Sequence, residues 1–134
     1  MRVMLDTSVL ISLYVFQTEN MNRFKACLVK HQVVLCSYVI EETKDVVTRK
    51  FPDKQRALDE FFRTFPFVMS YTPDVIDPSE YPEIRDECDL PILASAILED
   101  VDILISRDKD FLAVVTERPE ILTPESFVEI NSNL

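Results

Sequence analysis

The stretch Asp102-Ile103-Leu104-Ile105-Ser106 decides the fold of this chain, because its three central residues are all apolar and polar residues flank them. A strand that does not alternate apolar and polar residues is buried on both faces, which is typical of a parallel sheet covered by helices on both sides. Two other short apolar runs, Val3-Met4-Leu5 and Val33-Val34-Leu35-Cys36, have the same character. The sequence therefore predicts at least three buried strands in one sheet.

Segments with helical patterns separate these strands, and two weaker strands complete the order. Helices are predicted over 7–16, over 19–30, over 38–50 with Ser37 as N-cap, from Pro52 to Arg63, and from Asp89-Leu90-Pro91 to Leu98. The weaker strands are 67–69 and 121–122, and Thr123-Pro124 starts a terminal helical turn. Strands that alternate with helices imply right-handed crossovers. We expect an α/β fold, a three-layer α/β/α sandwich with a mainly parallel central sheet, forming a single domain over 1–134.

Composition excludes several classes of site. The chain has no glycine, so phosphate-binding loops built on glycine are absent. The cysteines, Cys27, Cys36 and Cys88, form no C-x-x-C pair, and His31 is the only histidine, so a structural zinc site is not expected. The cysteines are interpreted as reduced thiols that behave as small apolar residues. No run of eighteen apolar residues occurs, and Asp6 interrupts the start of the chain, so we expect a cytoplasmic protein with no membrane span.

Four acidic residues occupy related places in this pattern. Asp6, Glu42 and Asp108 come soon after predicted strands, and Asp89 begins the central helix. In open parallel sheets, ligands bind beyond the carboxyl ends of the strands. Each aspartate also precedes a predicted helix and could act only as an N-cap. Glu42 borders the apolar stripe of its helix whereas Glu41 points away, although a shift of register to Glu41 stays open.

Carboxylates collected in one crevice repel one another and raise one another's pKa unless a cation is present. Mg²⁺ and Mn²⁺ favour oxygen ligands, and a bound metal ion activates water and stabilises charge on a phosphate. A carboxylate cluster without histidine therefore suits hydrolysis of phosphodiester bonds.

Five motifs in order resemble the PIN domain and, within that family, the small toxin components of bacterial and archaeal toxin–antitoxin pairs. Val3 to Leu10 looks like the opening D-T-N-V motif, and Ser37 to Val47 is similar to the second motif. Arg85 to Ala94 resembles the R-D-x-x-D segment, Ser106 to Leu112 resembles T-G-D-K-D-L-L, and Ile121 to Phe127 matches the usual ending. The resemblance covers essentially the whole chain.

This resemblance implies a metal-dependent endoribonuclease that acts on RNA, is held inactive by an antitoxin protein and forms a homodimer. It implies that Mg²⁺ or Mn²⁺ and the attacking water are held by Asp6, Glu42, Asp89 and Asp108. It gives Asp86 and Asp110 secondary roles, and makes Ser8 and Ser106 the hydroxyls that hydrogen-bond the acids. The chain departs from the family pattern at three positions, which are Ser8 for Asn, Thr43 for Leu and Arg107 for Gly.

The net charge of −10 favours a different hypothesis, a non-catalytic PIN-fold module that acts through protein or RNA contacts. The basic residues of the middle of the chain are interleaved with acids, so they indicate a solvated helical surface rather than an RNA track. They are Lys44, Arg49, Lys50, Lys54, Arg56 and Arg63. Phosphoryl transfer with Asp6 as nucleophile is a third hypothesis, disfavoured because no second Asp follows two residues later.

Overall fold

Five parallel strands form one sheet in the order β3-β2-β1-β4-β5. The computed structural model describes residues 1–15 and 18–132. Of Ser132 it describes the backbone alone. The strands are β1 Arg2–Leu5, β2 Gln32–Cys36, β3 Val68–Ser70, β4 Ile103–Ile105 and β5 Glu120–Leu122. Leu5 pairs with Ile105 and Cys36 with Ser70, so the carboxyl ends of the strands meet at one edge of the sheet.

Seven α-helices occur in the described residues. They are α1 Thr7–Val15, α2 Glu19–Leu28, α3 Ser37–Lys50, α4 Gln55–Thr64, α5 Leu90–Leu98, α6 Lys109–Leu112 and α7 Pro124–Ser132. Short 3-10 helices span Pro52–Lys54, Pro78–Glu80 and Glu87–Asp89. Helices α1, α3 and α4 pack together, and α2 packs on α7.

The central strands show why the helices must lie on both sides of the sheet. Every residue of Val3–Leu5 is fully buried, and Ile103–Ile105 are at most 4% exposed. Successive side chains of a strand point to opposite faces, so both faces are covered. The Phe24 ring of α2 meets the edge of the Phe127 ring of α7 inside this core. The predicted α/β sandwich is confirmed, and its sheet is wholly parallel.

Local structure differs from the prediction at several points. Ser37 is not the N-cap of α3, because Cys36 occupies that position and the Ser37 hydroxyl accepts the backbone N–H of Thr72 at 2.9 Å instead. Helix α2 ends at Leu28 rather than at residue 30, and the expected terminal turn is the nine-residue helix α7. Phe16, the last residue of the first predicted helix, lies outside the described residues.

The three cysteines are free, and two of them, Cys27 and Cys36, are buried as small apolar residues. Cys88 is a free thiol as predicted, but it is exposed and so does not pack as a small apolar residue. It lies in the 3-10 helix Glu87–Asp89 before α5, which has no buried residue. Among the described residues, no helix has the length and apolar character that a membrane span requires.

Candidate active site

The four carboxylates predicted from the sequence line one cleft of about 280 Å³ at the carboxyl edge of the sheet. Asp6 directly follows β1, Asp108 is the N-cap of α6, Asp89 is the N-cap of α5, and Glu42 lies in the second turn of α3. The same cleft is lined by Thr7, Ser8, Ile11, Val46, Lys50 and Ile92. The parallel topology therefore collects acids that are up to 102 residues apart, as Asp6 and Asp108 show.

Asp6 is the most buried of the four and the most firmly held. It is 4% exposed, and its Oδ1 accepts the backbone N–H of Val9 at 2.9 Å and the Ser8 hydroxyl at 3.1 Å. Its Oδ2 accepts the hydroxyl of Ser106. Burial raises the pKa of the Asp6 carboxyl, and nearby Asp108 adds to this rise, although the three hydrogen bonds oppose it. Asp6 therefore caps α1 and also presents a charge that the site must stabilise.

Ser106 connects two of the acids. Because Leu5 of β1 pairs with Ile105 of β4, Asp6 and Ser106 follow neighbouring strands and lie side by side. The fully buried Ser106 hydroxyl donates to Asp6 and accepts the backbone N–H of Asp108 at 3.0 Å. Asp108 in turn accepts the backbone N–H of Asp110 at 2.9 Å as the N-cap of α6.

Asp89 has a different environment from the other aspartates. It occupies the N-cap position of α5, yet its side chain makes no capping hydrogen bond. Its Oδ2 is buried and has no hydrogen-bond partner among the described residues. Burial raises the pKa of Asp89 to about 7, and the neighbouring carboxylates of Asp108, Asp86 and Asp6 add to this rise. Capping does not account for Asp89, because the oxygen is buried and unpaired among like charges.

Glu42 rather than Glu41 faces the cleft. One carboxylate oxygen of Glu42 accepts the hydroxyl of Thr7, and the other lies 3.3 Å from the hydroxyl of Tyr38. Glu41 is exposed and does not line the cleft. Burial, followed by the charge of Glu42, raises the pKa of Tyr38 to about 12, so this hydroxyl keeps its proton. Sequence reasoning missed Thr7 and Tyr38 as site residues, although Tyr38 stands one helical turn before Glu42.

The secondary acids form a second cluster that shares Asp89 with the first. Carboxylate oxygens of Asp86, Asp89 and Asp110 all lie within 4.8 Å of one another. Asp86 caps the 3-10 helix by accepting the backbone N–H of Cys88 at 2.9 Å, and Asp110 lies 3.9 Å from Nε of Arg85. The structure thus brings Asp86 and Asp110 to the rim of the predicted site, beside Asp89.

The donor set fits a hard divalent cation. The titratable groups of the cleft, Lys50 apart, are carboxylates, and His31 lies elsewhere, against Asn131 and the chain terminus. The buried unpaired oxygen of Asp89 is a position where a cation would replace the missing partner. Burial and, to a smaller extent, like charges raise the pKa of Asp6 and Asp89, and the same cation would neutralise those charges.

Comparisons with known proteins agree with this architecture. A chain of VapBC2 from Rickettsia felis, crystallised bound to a DNA fragment from their promoter, has a similar fold with a TM-score of 0.67 and 20% sequence identity. The similarity covers 91% of this chain and 97% of that chain. No curated protein sequence gives a match. A family model described as PIN domain matches residues 2–110, a range that contains every acid of the cleft. The chain therefore belongs to the PIN-domain family.

Proposed function

We propose that the protein is a metal-dependent endoribonuclease that hydrolyses RNA phosphodiester bonds and serves as the toxin of a toxin–antitoxin pair. The observation that carries the enzymatic part is Asp89, whose buried oxygen has no hydrogen-bond partner among the described residues and whose pKa is raised by burial and by three neighbouring aspartates. A structural cap would have a hydrogen bond at this oxygen, whereas a ligand for a cation would not need one.

Asp6, Glu42, Asp89 and Asp108 would hold Mg²⁺ or Mn²⁺. When bound, the metal ion would lower the pKa of a water molecule and stabilise negative charge on the phosphate. The chain supplies orientation: Ser106, Ser8 and the Val9 N–H fix both oxygens of Asp6, and Thr7 and Tyr38 fix those of Glu42. Such held carboxylates lose little freedom when a ligand binds.

Asp86 and Asp110 have a secondary role in this proposal. One carboxylate oxygen of each lies within 4.8 Å of an oxygen of Asp89, a spacing short enough for one water molecule to bridge. There they would orient the water that attacks the phosphate or accept its proton. Asp6 does not suit the alternative role of nucleophile in phosphoryl transfer, because it is buried and both of its oxygens accept hydrogen bonds.

The toxin role rests on resemblance to PIN-domain toxins. It includes an antitoxin protein as partner, a homodimeric assembly and action in the cytoplasm. The five ordered motifs support it, and so does the fold similarity to a chain of VapBC2 at 20% identity. Induction of the protein without its partner should slow growth, and Asp6→Asn should abolish this effect. Equal toxicity of the two proteins would contradict an enzymatic toxin.

The nuclease is tested by incubating purified protein with mixed RNAs and Mn²⁺. Wild-type protein should cleave, and Asp6→Asn and Asp89→Asn should each lose activity by about 100-fold or more, since each removes a ligand. Glu41→Gln, at an exposed site outside the cleft, is the matched control and should keep full activity. Cleavage by Asp6→Asn at the wild-type rate would contradict the proposal.

The second candidate is the non-catalytic module, favoured by the net charge of −10. Calorimetric titration with Mn²⁺ separates the two candidates without any RNA. A nuclease should bind the ion and lose that binding in Asp89→Asn. Absence of binding in the wild type, or equal binding by both proteins, favours the module.

A further inference from the structure

Helix α3 presents three chemically different side chains to the cleft. Glu42, Val46 and Lys50 are four residues apart, so they form one stripe along the helix, and all three line the cleft. Successive members are about 6 Å apart along the helix axis. The stripe therefore runs from a carboxylate, through an apolar residue, to a cation at the end of α3.

The apolar part of this stripe belongs to a wider apolar wall. Ile11 of α1 and Ile92 of α5 line the same cleft as Val46, and Ile11 and Val46 are partly exposed. Partly exposed aliphatic side chains beside a group of carboxylates are not needed to bind a cation. They offer surface on which an apolar part of a ligand can pack.

Among the described residues, Lys50 is the basic residue that lines the cleft, whereas Lys109, which is also exposed and without an ion pair, does not. Arg107 pairs with Glu125 at 2.9 Å, and Arg85 lies 3.9 Å from Asp110. Lys50 is exposed and, within residues 1–15 and 18–132, has no ion pair. The sequence predicts that Lys50, Lys44 and Arg49 belong to one solvated helical surface, but of these three only Lys50 lines the cleft.

We propose that this stripe is a binding subsite for single-stranded RNA, which rests on the nuclease function proposed above. The scissile phosphate lies at the carboxylates, the adjoining nucleoside packs on Ile11 and Val46, and Lys50 binds the next phosphate. A base that packs on a protein wall cannot be paired in a duplex, so the strand must be single.

Charge favours RNA over a protein segment as the occupant. An apolar wall with a cation at its end complements a ligand that alternates between apolar bases and negative phosphates. In a chain with a net charge of −10, an unpaired lysine beside four acids also limits where a polyanion can approach. Lys50 is thus a positioning residue for substrate and takes no part in the chemistry.

The experiment compares Lys50→Ala, Lys50→Arg and Lys44→Ala in cleavage of a single-stranded oligoribonucleotide with Mn²⁺. Lys44 is the matched control because it is an exposed lysine of the same helix that does not line the cleft. Lys50→Ala should raise KM about five-fold with a much smaller effect on kcat, and Lys50→Arg should restore KM. The slope of log KM against log salt concentration should fall by about 0.7 in Lys50→Ala alone.

The apolar wall has its own test in the same assay. An abasic nucleotide beside the scissile phosphate should raise KM for the wild type but have much less effect on Val46→Ala, because the variant has already lost the packing surface. Additive effects of the abasic substitution and Val46→Ala would contradict packing of the base on Val46.

Failure of this inference is distinguishable from failure of the nuclease. If wild-type protein cleaves RNA and Lys50→Ala has the KM and salt slope of Lys44→Ala, the subsite is wrong and the nuclease stands. If the wild type cleaves no RNA, fluorescence anisotropy of a labelled oligoribonucleotide with Mn²⁺ still measures the subsite, and equal affinity of the two lysine variants overturns it. The subsite is also overturned if Lys50→Ala loses binding to a protein partner while its affinity for RNA is unchanged.

Discussion

The hydroxyl oxygen of Tyr38 lies 3.3 Å from Oε2 of Glu42 and 3.2 Å from the carbonyl oxygen of Cys88. Tyr38 and Glu42 are one turn apart on α3, whereas Cys88 adjoins Asp89, so one hydroxyl connects two acid-bearing segments. Its single proton can serve only one acceptor at a time, and an ionised carboxylate is the stronger acceptor. With Thr7 on the other oxygen, Glu42 is oriented before any ligand binds.

Tyr38→Phe tests this orientation. The phenyl ring keeps the packing of α3, but Glu42 loses one of its two donors and the Cys88 carbonyl loses its contact. We expect the affinity for Mn²⁺, measured by calorimetry, to fall about ten-fold, as for other groups that orient a ligand. Tyr71→Phe is the control, because Tyr71 is 80% exposed and does not line the cleft. Unchanged Mn²⁺ affinity in Tyr38→Phe would show that Thr7 alone positions Glu42.

Ser106→Ala should destabilise the fold. The substitution removes a buried donor to Asp6 and leaves the backbone N–H of Asp108 without its acceptor. We expect the free energy of unfolding in urea to fall by about 1–3 kcal/mol, the usual cost of a buried polar group left unpaired. Ser8→Ala removes an exposed hydroxyl from the same carboxylate and should cost less than about 1 kcal/mol. Equal losses in the two variants would mean that the hydrogen bond from Ser106 to Asp6, which joins the ends of β4 and β1, adds no stability of its own.

The stability of the metal-free protein should depend on pH through Asp89. Its pKa is raised from 3.8 to about 7, so between these values the folded state holds a proton that the unfolded chain has lost. The stabilisation is complete below about pH 4 and is lost as the pH rises through about 7. Between pH 5 and pH 8, with EDTA present, we expect the free energy of unfolding to fall by roughly 1–2 kcal/mol, allowing for solvent screening of this partly exposed group.

Asp89→Asn should largely remove this fall, and saturating Mn²⁺ should reverse it in the wild type. Burial raises the pKa of Asp6 as well, so a smaller slope of the same sign should persist in the variant. Asp102 and Glu125 have lowered pKa values, so their contributions change only below about pH 4.5, outside the measured range. Parallel curves for wild type and variant would contradict the assignment to Asp89.

The parts of the fold that could be predicted are those set by burial. The runs at Val3–Leu5 and Ile103–Ile105 are apolar because both faces of the sheet are covered, and this pattern is visible without coordinates. Once those strands are parallel, Asp6 and Asp108 must come to one edge. Strand β3 is less clear because it is an edge strand with Val68 and Met69 about 40% exposed, and it was predicted one residue early.

The contacts between elements could not be predicted in the same way. Periodicity shows which face of α3 is buried, and so favours Glu42 over Glu41, but it does not show what faces that side. The hydroxyl of Thr7 meets Glu42 only because α1 and α3 pack together at the cleft. For the same reason the sequence did not distinguish Lys50 from its neighbours, nor show that Ser37 bonds to Thr72 rather than capping its helix.

Glu41 and Glu42 provide the most direct test of the register in the second motif. The two residues share charge, size and helix, yet Glu42 lines the cleft with both oxygens near hydroxyl donors while Glu41 is exposed. Glu42→Gln keeps the shape of the side chain and removes its charge, so Mn²⁺ affinity should fall about ten-fold or more and RNA cleavage should fall with it. Glu41→Gln should change neither quantity by more than about two-fold, because an exposed charge is screened by solvent. Calorimetry and cleavage rates at one Mn²⁺ concentration compare the pair. If Glu41→Gln is the more damaging substitution, the ligand from α3 is Glu41, and the helix must turn when the metal ion binds.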